Sequence, residues 1–315
     1  MKQRAPRNKT IVIENDEEKK ILLKELLFDS HNKKIFTLDE ITNKIINADL
    51  FNIIEKLPQK FADLIIIDPP YNLTKNYNGL KFTERCIFDY IEYLRLWVPK
   101  ICRLLKDDGS LYVCCDWSSS CAIRHVICEN NLHVLNRITW QREKGRGAKN
   151  NWKNSMEDIW FAVKDKKKYF FNVEAVKQKR KVLAPYKING QPKDWIQTSN
   201  GNFRLTYPSN FWDDISVPYC SMPENTDHPT QKPEKLIAKL ILASSSENSF
   251  VFDPFLGSGT TSVVAQKLGR KYCGIEINED YACIAQKRLQ IAKNNIRIQG
   301  YEDGVFWERN SQTYK

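Results

Sequence analysis

Two periods divide this chain. Short apolar runs of strand length alternate with stretches in which apolar residues recur every three or four positions, as on one face of a helix. Ala62-Asp63-Leu64-Ile65-Ile66-Ile67 is a continuous apolar run halted by Asp68-Pro69-Pro70, which predicts a central parallel strand whose carboxyl end opens into a loop. Helical spacing follows over Thr83–Leu105, then a turn at Asp107-Asp108-Gly109 and a strand over Ser110–Cys115. Ser118–Asn130 reads as a helix, Leu132–Trp140 and Asp158–Val163 as strands. Between about Asp165 and Met222 the periodicity fails, and a gap of that length in a compact domain predicts an irregular functional insert. Order returns with a helix over Lys232–Ser244, a strand over Ser249–Phe252, a glycine loop over Asp253–Thr261 and a helix over Thr261–Leu268. A strand over Lys271–Ile277 and a helix over Glu279–Ala292 complete the alternation. The front of the chain predicts helices over Asp16–Phe28 and near Leu38–Ile46, with no chemical signature. Alternation on both sides of an insert points to an α/β fold with a doubly wound sheet.

Composition sharpens this picture in one place. At 315 residues, 42% hydrophobic and 28% charged, the chain is globular in character, and no apolar stretch reaches membrane-spanning length. Its basic, polar first ten residues lack the apolar core of a secretory signal, so a cytoplasmic protein is expected. The nine cysteines contain no Cys-x-x-Cys pair, and the four histidines form no ligand pair; reduced thiols packed as small hydrophobes, and no metal, are expected. The net charge is +11, and Gln141–Arg204 alone holds 16 basic against 6 acidic residues. Trp152, Tyr169, Phe170, Phe171, Tyr186, Trp195 and Phe203 are interleaved with that charge. Cations for phosphates beside flat rings for bases favour a polyanionic partner over a merely solvated surface.

Ligands of doubly wound sheets bind beyond the carboxyl ends of strands, and two such ends carry chemistry here. At Asp253-Pro254-Phe255-Leu256-Gly257-Ser258-Gly259-Thr260-Thr261, the glycines allow close backbone approach and the helix start offers amide donors. A plain tight turn would explain this loop as well, but the next strand ends in Glu276, whose carboxylate can accept both hydroxyls of a ribose. Asp68-Pro69-Pro70-Tyr71 sets a carboxylate, a backbone carbonyl and an aromatic ring on one rigid loop. An exocyclic amine could donate one hydrogen to Asp68 and one to the Pro69 carbonyl while Tyr71 stacks on its ring. Holding both hydrogens aims the nitrogen lone pair at an electrophile.

Asp-Pro-Pro-Tyr after one buried strand and Phe-x-Gly-x-Gly-Thr-Thr after another resemble the amino-methyltransferases of bacterial restriction-modification systems. The catalytic loop precedes the glycine loop, with the basic insert between, an order similar to the β-class. Asn47-Ala48-Asp49-Leu50 and His228-Pro229-Thr230-Gln231-Lys232-Pro233 add local matches. The resemblance implies a Rossmann-like methyltransferase sheet in circularly permuted order and S-adenosylmethionine as cofactor. Catalytic and cofactor-binding parts would span 46–164 and 223–295, with an N-terminal extension over 1–45, a target-recognition insert over 165–222 and a C-terminal tail over 296–315. Asp253, Phe255, Gly257, Gly259 and Thr260 would wrap the methionine end, Thr230 and Lys232 its carboxylate, Glu276 the ribose and Asp49 the adenine. Asp68, Pro69, Pro70 and Tyr71 would hold a base flipped out of double-stranded DNA. Trp140, Arg142, Lys144, Arg146 and Lys149 would form a loop beside it. Physics alone leaves adenine N6 and cytosine N4 equal, since both amines offer two hydrogens; the leading aspartate, which in the family resembled heads the loop of most adenine enzymes, implies adenine N6. Methylation of RNA or of a protein glutamine, and a non-catalytic DNA-binding scaffold, remain alternatives. A homodimer and a cognate restriction endonuclease are partners the resemblance leaves open.

Overall fold

A computed structural model describes residues 7–29, 35–77, 80–142, 147, 149–183, 186–199 and 201–308. The chain begins with helix α1 (Asp16–Glu25), capped by Asn15 and acidic in its first turn, where carboxylates meet the positive end of the helix dipole. Strand β1 (Leu27–Phe28), helix α2 (Leu38–Ile41), strand β2 (Lys44–Asn47), helix α3 (Leu50–Ile53) and strand β3 (Ala62–Ile67) follow. A hairpin, β4 (Lys75–Tyr77) and β5 (Leu80–Phe82), leads to helices α4 (Ile87–Arg95) and α5 (Val98–Leu104), strand β6 (Leu105–Cys115) and helix α6 (Ser120–Glu129). Strands β7 (His133–Gln141) and β8 (Met156–Val163) end the first half. The insert supplies β9 (Gln178–Lys181), β10 (Lys187–Ile188), β11 (Gln191–Pro192), β12 (Ile196–Thr198), β13 (Gly201–Thr206) and β14 (Phe211–Trp212). Helix α7 (Glu234–Ser244), β15 (Phe250–Asp253), α8 (Thr260–Lys267), β16 (Lys271–Glu276), α9 (Glu279–Asn294), β17 (Tyr301–Glu302) and β18 (Val305–Trp307) complete the fold.

Nine strands form one sheet in the order β1-β2-β16-β15-β3-β6-β8-β7-β14. Every neighbouring pair is parallel except those of β8, which runs against β6 and β7. Both faces are covered, as a parallel sheet requires. On β3, Leu64 and Ile66 join the core beneath α7, α8 and α9, while Ile65 and Ile67 join the opposite core with α3, α4, α5 and α6. Each such side chain contributes about 1.5–3 kcal/mol by leaving water. From β15 the chain crosses through α8 to β16 on one side. From β3 it crosses through α4 and α5 to β6 on the other. The reversal makes the carboxyl ends of β15 and β3 the switch point of the sheet, where a crevice must open.

Several local expectations are corrected. The helix near Leu38–Ile46 is one turn followed by a strand, because Asn43 takes φ 58° and the β-branched Ile45 and Ile46 pair with β16. The helix expected over Thr83–Leu105 is two: Pro99 cannot donate back into the preceding turn, and the chain breaks at Trp97. The expected Asp107–Gly109 turn is a bulge inside β6, between the pairs Ala62–Leu105 and Leu64–Ser110. A side chain at Gly109 would stand 2.6 Å from Leu105 and 3.1 Å from the Asp63 carbonyl.

The aperiodic insert is ordered rather than irregular. Strands β12, β13 and β9 form a small sheet that the tail completes, in the order β12-β13-β9-β18-β17. Its strands are two to six residues long and largely polar, as in Gln178-Lys179-Arg180-Lys181, so no alternation marks them. The front extension also has a place: α1 packs on α9, β1 and β2 extend the main sheet, and Ile11 bridges to Thr226. Of the nine free cysteines, Cys102, Cys114, Cys115, Cys273 and Cys283 are buried as expected, whereas Cys86, Cys121, Cys128 and Cys220 are exposed. Among the described residues no helix is long and apolar enough to cross a membrane.

Candidate active site

One cavity of about 300 Å³ occupies the switch point. It joins the two loops singled out by sequence: Asp68, Pro69, Pro70 and Tyr71 on one side, Asp253, Phe255, Gly257, Thr260 and Glu276 on the other. Asp49, Thr230 and Lys232 line it as well.

The glycine loop is built for close approach. Gly257 has φ 56°, its amide donates to Glu276 Oε2 at 2.7 Å, and a side chain there would stand 3.0 Å from His228 Nε2. Gly259 does not line the cavity. It starts α8 with φ 85°, and a Cβ would meet that of Ala285 at 2.5 Å, so this glycine lets α8 and α9 touch. Behind the loop, buried Arg288 donates to the Ser258 carbonyl (2.8 Å), Thr260 Oγ1 (3.0 Å) and Glu234 Oε1 (3.1 Å), and Thr260 donates to the Lys232 carbonyl (3.0 Å).

Acids rim the cofactor end. Glu276 accepts from the amides of Gly257 and Asn278, and burial pushes its carboxyl up to about 7 despite them. Burial likewise raises Asp253 to about 7, against hydrogen bonds from Thr261 and the Phe255 amide. Asp49 caps α3 by accepting from the Phe51 amide at 2.9 Å. His228 packs edge-on against Tyr281 and accepts from the Thr230 amide through Nδ1; burial, with Lys232 nearby, lowers it to about 3 and keeps it neutral.

At the Asp68 end of the cavity stands a group the sequence did not single out, Glu157, and Lys232 reaches towards it. Lys232 Nζ lies 2.6 Å from Asp68 Oδ2, 3.2 Å from the Tyr71 hydroxyl and 3.2 Å from Glu157 Oε2, so its ammonium meets the catalytic loop rather than the rim near Thr230. Burial opposes that charge, but the carboxylates of Asp68 and Glu157 outweigh it and the lysine's pKa is raised. The Tyr71 hydroxyl donates towards Asp68 Oδ1 (2.9 Å) and Glu157 Oε2 (3.1 Å); burial first, then both carboxylates, raises its pKa. Glu157 sits near the start of β8, and only the reversed direction of that strand carries it to the ligand edge. The Glu157-Asp158 pair opening an apolar strand was the available signal.

The expected DNA loop is divided. Arg142 lies 3.4 Å from Glu157, Lys149 is exposed, and Lys144 and Arg146 lie outside the described residues. Trp140 is core: 1% exposed, it donates through Nε1 to the Ile215 carbonyl. Trp195 and Phe203 are buried too, whereas Trp152 and Tyr186 are exposed rings.

Residues 62–287 match the family model described as DNA methylase. The chain is 36% identical over 252 residues to the DNA adenine methyltransferase YhdJ of Escherichia coli, covering 79% of this chain and 83% of that protein. It is 32% identical over 258 residues to the type II methyltransferase M.HpaI of Haemophilus parainfluenzae, covering 80% and 76%. The crystal structure of the M1.HpyAVI–SAM complex shares 26% identity at a TM-score of 0.51, covering 78% of this chain and 98% of that one. The cytosine-N4-specific PvuII DNA methyltransferase, at 16% identity and a TM-score of 0.55 over 80% and 92%, is alike in fold alone. Fold and site thus define a methyltransferase of the doubly wound α/β class. The chain belongs to the DNA methylase family.

Proposed function

We propose that this chain transfers a methyl group to the N6 amine of an adenine flipped out of double-stranded DNA, working in the cytoplasm. The observation that carries the reading is a single cavity joining the Asp68–Tyr71 clamp to the glycine loop at the switch point. The cofactor is S-adenosylmethionine, and the cavity's chemistry suits it: acids at Asp49 and Glu276 for amino and hydroxyl donors, and a cradle at Gly257 that a side chain would fill. When bound it supplies an electrophilic methyl group.

This chain's residues do the rest. Asp253, Phe255, Gly257 and Thr260 hold the methionine end, with Thr230 at its carboxylate. Asp68 and the Pro69 carbonyl each accept one amine hydrogen, and Tyr71 faces the base. Asp68 stabilises the positive charge that develops on the nitrogen, as an acceptor at the developing charge should, and stands where it can accept the proton that the methylated amine gives up. The basic insert meets DNA phosphates. Relatives called type II methyltransferases favour a cognate endonuclease, and a homodimer rests on the β-class likeness alone. A relative named as an adenine enzyme supports adenine over cytosine N4.

Labelled cofactor and duplex DNA, digested to nucleosides after reaction, should yield N6-methyladenine. N4-methylcytosine as the sole product would sink the adenine reading. Asp68→Ala should abolish turnover and change cofactor Kd by no more than about threefold, since the substrate contact it removes is to the base and not to the cofactor. Unchanged turnover in that variant would overturn the mechanism.

A further inference from the structure

Strand β8 delivers a second buried carboxylate to the catalytic loop. Glu157 Oε2 accepts from the Tyr71 hydroxyl at 3.1 Å and lies 3.2 Å from Lys232 Nζ, while Oε1 lies 3.4 Å from Arg142 Nη1. Across the same lysine and the same hydroxyl stand the two oxygens of Asp68, at 2.6 and 2.9 Å. Two carboxylates therefore share two donors, with Tyr71 and Lys232 between them.

An incoming amine has to donate to an Asp68 oxygen that Lys232 or Tyr71 already holds. Drawing a buried ammonium away from Asp68 with no second carboxylate in reach would leave a charge unpaired, which is strongly unfavourable. We propose that Glu157 is a positioning residue that takes over the Lys232 ammonium and the Tyr71 hydroxyl when the target amine claims Asp68. This rests on the methyltransferase reading above. The exchange needs little movement, because the second acceptor already stands within 3.2 Å of both donors. Arg142 holds the far oxygen of Glu157, so the receiving carboxylate is fixed before the base arrives. Lysine and tyrosine stay paired throughout, and Asp68 is freed without a buried charge being stranded.

Glu157→Gln keeps the size of the side chain and still accepts from Tyr71, but cannot balance Lys232. Its single-turnover methylation rate should fall by about tenfold or more, with cofactor and DNA Kd within about threefold of wild type. Its Tm should stay near the wild-type value. Combined with Tyr71→Phe, the loss should be smaller than the product of the two single losses, because both act on one network. A wild-type rate in Glu157→Gln, or a loss tracking only Tm or cofactor binding, overturns the assignment. If Glu157→Gln does not fold, Glu157→Asp decides: it keeps the charge but draws it back from Lys232, so a slowed rate with intact cofactor binding supports the proposal and a wild-type rate overturns it. Asp68→Ala separates the two levels. Turnover in that variant defeats the functional reading itself, whereas an inactive Asp68→Ala beside a fully active Glu157→Gln defeats only the present one.

Discussion

Asp253 and Glu276 end neighbouring strands and face one cavity, and burial raises both carboxyls to about 7. A carboxylate accepts a ribose hydroxyl and favours a cationic ligand better than its protonated form does, so protons compete with S-adenosylmethionine for this end of the site. Affinity should therefore weaken as pH falls from about 8 to about 6, by up to tenfold per unit for each group that must be deprotonated. Calorimetric titration across that range checks it, and a flat Kd would show that neither carboxyl titrates there. Asp68, Gly257 and Glu276 were legible as cavity residues because strand-ending acids and glycines fall at fixed offsets from apolar runs, whereas Asp49 was legible only through the family resemblance. Glu157 was not, because a sequence does not state which strand runs backwards. Gly259 was legible as a glycine but not in its role, since its demand comes from Ala285 on another helix. Trp140 looked like a base-facing ring only because its partner, the Ile215 carbonyl, is 75 residues away.

At the scale of elements, α7 is the helix to which both the insert and the tail are fastened. Lys235 lies 2.6 Å from Asp214 and donates to the Trp307 carbonyl, Gln178 donates to the same aspartate at 2.8 Å, and Lys239 stands 4.2 Å over the Trp212 ring. Burial lowers Lys239 to about 8; burial also opposes the charge on Asp214, but Lys235 and Lys239 overcome it and lower that carboxyl. One helix thus ties the insert and the tail to the scaffold that presents Lys232. Asp214→Ala would leave Lys235 without its buried counter-charge, a loss of about 3–5 kcal/mol for breaking such a pair. Thermal or denaturant unfolding should show it, and a variant as stable as wild type would mean that Asp214 does not bind the units together. The long apolar strands were legible from period alone, and β3 ends where the prolines said it would. The strands of the small sheet were not, since two of its five are supplied by residues beyond 300 and their side chains are mostly polar.

On the scale of the whole molecule, charge and catalysis are separated along the chain yet joined in space. The surplus of cations in Gln141–Arg204 begins at the end of β7, beside Glu157 on β8, and continues through the small sheet. Binding to DNA should therefore be steeply salt-dependent, with log K falling by roughly 0.9 per phosphate neutralised for each tenfold rise in salt. Anisotropy titrations at several salt concentrations give that slope, and a slope near zero would remove the insert from the DNA-binding surface. The small sheet has a further consequence, and it concerns time. Strand β9 is paired on one side by β13, some twenty residues on, but on the other by β18, well over a hundred residues later. Contacts that distant are slow to close, because the loop between them must be ordered before they contribute. During synthesis the scaffold strands through β16 are all made before β18 exists, so the cavity can form ahead of a finished small sheet. On the role proposed for the insert, methylating competence and the grip on DNA would then mature in sequence within each new molecule.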